Sequence, residues 1–459
     1  MTFAGIPLGG ADPAAVSAAV GRWAAAAGAA PDGSLPGRTI ELFDPTERRG
    51  FSFDAGSLGV RLDLERSAEL VRTAGRERGS TVFGVLRGLI GCSTLGRDIA
   101  PAVAVDRAKL TLALGAVRPP LDVLPTNASL DPRTGRVREG APGRLVDSAG
   151  TASAVSLAVS AAAGAGGWRV PIVFKSIPPR GDPARLAQLD RSLLGSFTTT
   201  FDVSEEGRSW NIALACARLD GTIIEPGGVI SFNALVGARV PEAGFREAPE
   251  LVDNELVPGF GGGVCQVATT LFNAALLADL EIVERYHHSR PVTYVGLGRD
   301  ATVSYPNLDL VVRNPRAFPV ILTAEALDGQ VTVSFWGRRT IATEVRLWVE
   351  EMNLKPAENL VQVVPDLAPG EVRVAKPAFD GRDVRLWRQT YQEGRPVRLE
   401  LIWVDHYEPI AGLVQVGAGT AGTTGAGAEA PAPGAGAREG DQVRSRPGDA
   451  RDERFYSPR

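Results

Sequence analysis

The segment that most constrains the fold runs from Gly259 to Leu277, where a glycine-rich loop leads directly into an apolar helix. Apolar residues occupy nearly every face of the helix predicted over 264–280. A helix that is apolar all round is buried inside a domain rather than placed on its surface. We therefore predict that residues 196–325 form a compact α+β domain in which this helix packs, almost wholly buried, against a mostly antiparallel sheet.

The same segment places Cys265 at the start of the helix. Its preceding glycines allow positive φ and close approach of another group, and the unpaired N–H groups and dipole of a helix start favour an anion. A cysteine at such a position has a lowered pKa, and the thiolate is the nucleophilic form. The alternative is a small apolar thiol that packs in the core and does not react.

Composition narrows the function classes. The 459 residues and 44% hydrophobic content suffice for several domains with real cores. The 49 basic and 53 acidic residues are interspersed, so nucleic acid is not a predicted partner. The three cysteines form no C-x-x-C pair, which indicates neither a zinc ribbon nor a disulfide framework. No cofactor is predicted.

The sequence shows no signature of a membrane segment or a signal peptide. No run of about 18 apolar residues occurs, so no transmembrane helix is predicted. The N-terminus also lacks the basic and apolar regions of a signal peptide, which by itself predicts a cytoplasmic start.

Along the chain, alternating helix and strand patterns predict a multidomain α+β protein. Residues 11–30 read as a helix with an Asp N-cap and Pro at its first position. A Gly-x-x-x-Asp pattern precedes a helix at both Gly59 and Gly143, which suggests a loose duplication. The predicted divisions are an α+β unit at 1–100, a second at 101–190, the central domain at 193–328, a β-rich module at 329–417 and a disordered tail at 418–459.

The central domain resembles the VanW family. The matching text includes Ser196-Phe-Thr-Thr-Thr-Phe, Arg208-x-x-Asn-Ile, Asp220-Gly-x-Ile-Ile-x-Pro-Gly, Gly261-Gly-Gly-Val-Cys-Gln-Val-Ala-Thr-Thr-Leu-Phe-Asn, His288-Ser, Asp300-Ala-Thr-Val and Asp309-Leu. The resemblance implies peptidoglycan or its stem peptides as partner and a place in the cell envelope. It also implies peptidoglycan-binding repeats before the domain and a degenerate G5-like module after it. The family's biochemical activity is not settled, so the resemblance implies no reaction.

The residues themselves suggest a reaction. We predict that Cys265 is a nucleophile on an amide or peptide bond, that His288 takes its proton and that Asp300 orients the imidazole, with Gln266 or the glycine-loop amides donating to an oxyanion. The histidine and the carboxylate are expected on strands that follow the helix. Asp309 and Asn314 are rival orienting groups. A metal site of Cys265, His287 and His288 is disfavoured because adjacent side chains on a strand point in opposite directions. The other interpretation is a non-catalytic envelope-binding protein with a structural cysteine. The predicted substrate-binding residues are Gly261, Gly262, Gly263, Thr269, Asn233 and Arg208.

Overall fold

The computed structural model describes residues 2–8, 11–74, 98–131, 134–161, 167–252 and 255–418. Cys92 and the predicted disordered tail from residue 419 onward lie outside the described residues. Contacts divide the chain into two compact units, one formed by 1–357 with 379–410 and the other by 358–378 with the chain from 411. Helices and small sheets occur together, which confirms the predicted multidomain α+β class. The predicted domain boundaries stay predictions.

The N-terminal part is built from short helices that begin at aspartates. Asp12 accepts a hydrogen bond from the N–H of Ala15 at 2.7 Å, and Asp63 caps its helix through the N–H of Arg66 at 2.9 Å. The cap at Asp12 is as predicted. The helices are Pro13–Ala26, Leu64–Thr73, Arg107–Gly115, Ser148–Ala161 and Pro183–Gln188. The strands are Thr2–Phe3, Ile6–Pro7, Thr39–Phe43, Gly50–Asp54, Val60–Leu62, Asp98–Ile99, Val103–Val105, Ser129–Leu130, Val137–Arg138, Gly143–Val146, Gly167–Pro171 and Phe174–Ile177.

The Cys265 helix, Val264–Leu277, is the core of the central domain. Twelve of its residues are buried, including four polar ones whose side chains all have hydrogen-bond partners. It packs against a four-stranded antiparallel sheet, and the helix Glu206–Leu219 packs beside it. The predicted burial of this helix is therefore confirmed. The strands of this central sheet, in spatial order, are Ser192–Thr200, Gln330–Gly337, Val320–Leu327 and Thr222–Ile224.

A smaller antiparallel sheet and a hairpin complete the domain. The strands on either side of the Pro226-Gly227-Gly228 turn belong to different sheets: Thr222–Ile224 joins the central sheet and Val229–Ser231 the smaller one. The smaller sheet has the order Val229–Ser231, Val311–Arg313 and Glu281–Glu284. The hairpin is Glu247–Val252 with Glu255–Phe260, and the short helical segments are Phe232–Val236 and Pro241–Ala243.

One prediction about the site's scaffold was wrong. We expected His288 and Asp300 on strands, but both lie in the irregular connection between Glu281–Glu284 and Val311–Arg313. The physical reason is that the backbone N–H of His288 donates to the carboxylate of Asp300 at 2.7 Å, and so is not part of a strand ladder.

The C-terminal strands belong to both units. The first unit contains the antiparallel strands Thr343–Lys355, Gly381–Gln392 and Arg395–Tyr407. The second contains Asn359–Val364, Gly412–Gly417 and Val372–Lys376. Over the described residues, the helices are all too short or too polar to cross a membrane.

Candidate active site

The loop before Cys265 requires glycine for two reasons. Gly261 and Gly263 have φ angles of 111° and 99°, in the left-handed region that side chains rarely adopt. A Cβ atom at Gly261 would lie 2.6 Å from Cγ of Arg239, and one at Gly262 would lie 2.4 Å from the carbonyl oxygen of Pro249. The glycines therefore let neighbouring groups close in around the start of the helix.

The first turn of the helix leaves a donor beside the thiol. The N–H of Val264 donates to the carbonyl of Gly261 at 3.0 Å, and the N–H of Gln266 donates to that of Gly263 at 3.1 Å. Within the described parts of the chain, the N–H of Cys265 itself donates to no residue. A backbone N–H at a helix start is suited to hold a negatively charged oxygen.

The thiol of Cys265 is half-buried against the segment that follows Asp300. Its Sγ lies 3.5 Å from the carbonyl oxygen of Val303 and 3.6 Å from Oγ1 of Thr302. These two contacts fix the position of the sulfur on the side of the helix that faces the His288 loop.

His288 and Asp300 are joined by two hydrogen bonds to one oxygen. Oδ2 of Asp300 lies 2.7 Å from Nδ1 of His288 and accepts from its backbone N–H at the same distance. Both residues are buried, with 8% of His288 and 3% of Asp300 exposed. The bond to Nδ1 leaves Nε2 as the imidazole nitrogen available to other partners.

The other oxygen of Asp300 is held by residues that are distant in sequence. Tyr407 donates its hydroxyl to Oδ1 at 3.0 Å, and Nη2 of Arg285 lies 3.3 Å from it. Arg285 also donates to the Asp300 carbonyl at 2.7 Å and pairs with the buried carboxylate of Asp405. The carboxylate is therefore fixed from four directions.

Electrostatics follow from this arrangement. Burial would raise the pKa of the Cys265 thiol, but the hydrogen bond and charge of His288 bring it below its ordinary value. Burial would lower the pKa of His288, but its hydrogen bonds with Asp300 and Cys265 raise it to about 9. For Asp300, the bond from His288 and the charge of Arg285 outweigh burial and lower its pKa. All three shifts favour a thiolate beside an imidazolium.

Cys265 and His288 open onto a cavity of about 1160 Å³. The glycine loop forms part of its wall, and charged side chains of both signs, among them Arg208, Arg239 and Glu250, line it. A volume of this size accommodates a ligand much larger than a single amino acid, since ligand sites typically span roughly 300 to 1,000 Å³.

The predicted site residues divide into two groups. The structure brings together Cys265, His288 and Asp300, and the three loop glycines and Arg208 line the cavity beside them. Gln266 lines the cavity too, but its amide N–H groups donate to Oγ1 of Thr199 at 3.0 Å and to the carbonyl of Thr200 at 2.8 Å. Its Oε1 accepts from Arg208 at 2.6 Å. Gln266 thus positions Arg208, and both its donors are already engaged, contrary to the predicted oxyanion role.

The remaining predicted residues have structural contacts. Thr269 is buried and bonds both the N–H and the carbonyl of Ala301. Asn233 donates to the carbonyl of Leu308 at 2.8 Å, so neither residue faces the cavity. The rivals of Asp300 are also occupied elsewhere: Asp309 accepts from the N–H of Asn233 at 2.8 Å, and Asn314 donates to three carbonyls, those of Ile224, Glu225 and Phe318.

His287 is not among the residues that line the cavity. Its Nδ1 lies 2.7 Å from the carbonyl oxygen of His288, and its ring packs at 4.8 Å from that of Tyr407. In the described part of the chain, no group of three or more His, Cys, Asp or Glu residues is arranged to hold a metal ion.

Several residues at the site were missed by the sequence analysis. Arg285 and Tyr407 hold Asp300, while Arg239, Glu250 and Tyr294 line the cavity. Burial raises the pKa of Tyr294, so its hydroxyl stays protonated. No local pattern distinguishes these residues from other residues of the same types. Of the five, only Tyr294 lies close in sequence to a predicted site residue, six residues after His288.

Two family models match the chain. “VanW like protein” covers residues 207–336, and “Putative peptidoglycan binding domain” covers residues 51–164. The chain is 37% identical over 183 residues to “Uncharacterized protein YoaR” of Bacillus subtilis, a match that covers 40% of this chain and 60% of that protein. It is 32% identical over 159 residues to “Vancomycin B-type resistance protein VanW” of Enterococcus faecalis, which covers 32% of this chain and 58% of that one.

The chain thus spans about three-fifths of the length of these relatives. Among solved structures, an IgA1 protease G5 domain is 24% identical and matches 17% of this chain and 94% of its own, with a TM-score of 0.12. A TM-score this low supports no conclusion about the fold or the function. The VanW match contains Cys265, His288 and Asp300, and the other family model supports association with the cell wall. Residues 207–336 of the chain therefore form a VanW-like domain.

Proposed function

We propose that Cys265, His288 and Asp300 form a cysteine-nucleophile site that acts on an amide or peptide bond of peptidoglycan. The observation that carries this proposal is a buried carboxylate hydrogen-bonded to one imidazole, with that imidazole and a half-buried thiol at a helix start lining the same large cavity. A nucleophile, a base and a group that orients the base are the parts that acyl transfer requires.

The chemistry follows from the positions of the three groups. The Cys265 thiolate adds to the amide carbon, and His288 as the imidazolium gives its proton to the leaving nitrogen when the C–N bond breaks. The product is a thioester on Cys265. A water or an amine, deprotonated by the now neutral imidazole, then attacks the thioester and releases the thiol, which gives hydrolysis or transfer respectively.

The negative oxygen of the tetrahedral intermediate needs donors. The N–H of Cys265, which is unused among the described residues, is the group we assign to it, in place of Gln266.

Peptidoglycan as the partner is supported by the family model over 51–164 and by the VanW match, not by the geometry of the cavity. We also place the protein in the cell envelope on this basis. Retention of the full chain by purified sacculi in a pull-down tests both statements together, and sacculi that do not retain it would contradict them.

Alkylation of Cys265 by iodoacetamide, followed against pH, tests the nucleophile. The protein should carry Cys92→Ser and Cys216→Ser, although Cys216 is buried and its pKa is raised by burial, so it reacts slowly in any case. We expect an apparent pKa clearly below the ordinary value of about 8.5. It should rise in His288→Ala and stay unchanged in the matched variant His406→Ala, whose histidine is exposed and outside the cavity.

The rival function is non-catalytic binding, for which the peptidoglycan-binding match is the specific support. It predicts a thiol that reacts only when the protein unfolds, or whose titration does not depend on His288. Incubation with peptidoglycan fragments and intact-mass measurement adds an independent readout, because a thioester adduct on Cys265 that is absent in Cys265→Ser favours catalysis.

A further inference from the structure

Arg239 is a cation in the cavity wall on which the charges of Asp309 and Glu250 act, although its guanidinium makes no hydrogen bond to a carboxylate of the described residues. Its Nη1 donates to the carbonyl of Gly237 at 2.8 Å, while Nη2 is buried and has no hydrogen-bond partner among the described residues. The guanidinium lies 5.7 Å from the ring of Phe232 and 5.9 Å from that of Tyr305, which hold it in place. A buried N–H without an acceptor is costly, so this group is suited to an acceptor supplied by a ligand.

Glu250 is an anion on the same wall and is also unpaired. Its half-buried carboxylate makes no hydrogen bond or ion pair within 4 Å of a described residue, and the charge that acts on it is that of Arg239. It lies close to the glycine loop, since a Cβ at Gly259 would be 2.5 Å from its Oε2. A partly desolvated carboxylate without donors is suited to a cationic or N–H-rich ligand group.

Both charges flank Gly261. A Cβ there would lie 2.6 Å from Cγ of Arg239 and 3.5 Å from Oε1 of Glu250, so the absent side chain leaves room between the two. The two charges attract each other, but within the described structure their charged atoms do not come within the 4 Å of an ion pair. Opposite charges that face one space without pairing match a ligand that carries both signs on neighbouring atoms.

We propose that Arg239 binds the carboxylate and Glu250 the ammonium of a free α-amino acid group, so that the ligand of this cavity is a peptide ending in such a zwitterionic group. As the substrate of the Cys265 site, this peptide rests on the proposed function. Its binding, however, does not require the cysteine to react.

Calorimetric titration of the full chain carrying Cys265→Ser separates binding from chemistry. The probe is the tripeptide L-Ala-γ-D-Glu-meso-diaminopimelate, whose diamino-acid side chain ends in a free α-amino acid group. Two matched probes carry an amide at the carboxylate of that group or an acetyl at its amine. We expect each modification to weaken binding by about tenfold or more, as loss of a hydrogen bond to a charged group does.

Variants of Arg239 and Glu250 test which of the two residues binds the carboxylate of the ligand and which binds its ammonium. In Arg239→Gln the free and amidated peptides should bind equally while the acetylated one stays weaker, and in Glu250→Gln the reverse should hold. Arg239→Lys, which keeps the charge, should keep part of the preference for the free carboxylate. Arg346→Gln, an exposed arginine outside the cavity, is the control and should keep all ratios.

Equal binding of the three peptides, no binding by any of them, or ratios that Arg239→Gln and Glu250→Gln leave unchanged would overturn the proposal. None of these results depends on the reactivity of Cys265. An unreactive thiol in the alkylation experiment would instead contradict the proposed function and leave the zwitterion preference intact.

Discussion

Asp300→Asn tests the electrostatic basis of the site, because it removes a charge and keeps the size of the side chain. The pKa of His288 is raised from 6.5 to about 9, and the difference of 9 minus 6.5 corresponds to about 3 kcal/mol of preference for the imidazolium at ~1.4 kcal/mol per pH unit. Burial opposes this rise and is the largest single influence. Without the carboxylate, only the contact with Cys265 remains to oppose burial.

We therefore expect the pKa of His288 to fall by at least about one unit in Asp300→Asn, toward or below 6.5. A raised histidine pKa stabilises the folded state fully below the unfolded value of 6.5, and the stabilisation is lost as the pH rises through about 9. The deficit in melting temperature of the variant should thus be largest at acid pH and smaller above about pH 9.

Carbon-detected NMR of histidine-labelled protein measures the pKa directly, because the chain has three histidines only. Asp383→Asn is the matched control: Asp383 pairs with Nδ1 of the exposed His406 and raises its pKa. It should shift the His406 signal and leave His288 unchanged. A His288 signal that titrates at the same pH in Asp300→Asn as in the parent would refute the reasoning.

Three further substitutions test the scaffold. In Gly263→Ala the alanine has to adopt a φ of 99° and its Cβ lies 2.8 Å from Cγ1 of Ile212, so we expect the free energy of unfolding to fall by roughly 1 to 3 kcal/mol and thiol alkylation to slow. Gly296→Ala, where the added Cβ has open space, should match the parent in both measurements. Tyr407→Phe removes the hydroxyl that donates to Asp300 at 3.0 Å, so the free energy of unfolding should fall by about 1 to 3 kcal/mol and the apparent pKa of the Cys265 thiol should rise. An alkylation profile against pH that equals that of the parent would argue against a positioning role for Tyr407. Leu271 is fully buried in the Cys265 helix, so Leu271→Ala should lower the free energy of unfolding by about 2 to 5 kcal/mol and lower the melting temperature markedly. A melting temperature equal to that of the parent would contradict the packing described.

Much of the central domain was predictable because its signals are local. The all-round apolar pattern of residues 264–277 leaves burial as the only stable arrangement, and the glycines before it indicate a tight approach to the helix start. The aspartate caps at Asp12 and Asp63 are likewise decided within a few residues. The sequence by itself therefore determined the fold class, the burial of the helix and the position of Cys265 in its first turn.

Only the tertiary structure decided between the carboxylates near His288. Asp300 and Asp309 are nine residues apart, and the sequence predicted Asp300 but left Asp309 as a rival. In the structure Asp309 accepts from a backbone N–H at the start of Phe232–Val236, whereas Asp300 reaches the imidazole. The donor that completes its setting, Tyr407, is 107 residues away on a strand assigned in the sequence analysis to another module. Long-range packing creates such a contact, and no periodicity or spacing within the chain records it. The unpaired charges of Arg239 and Glu250 beside the cavity have the same origin, since whether two charges pair depends on where the fold places them.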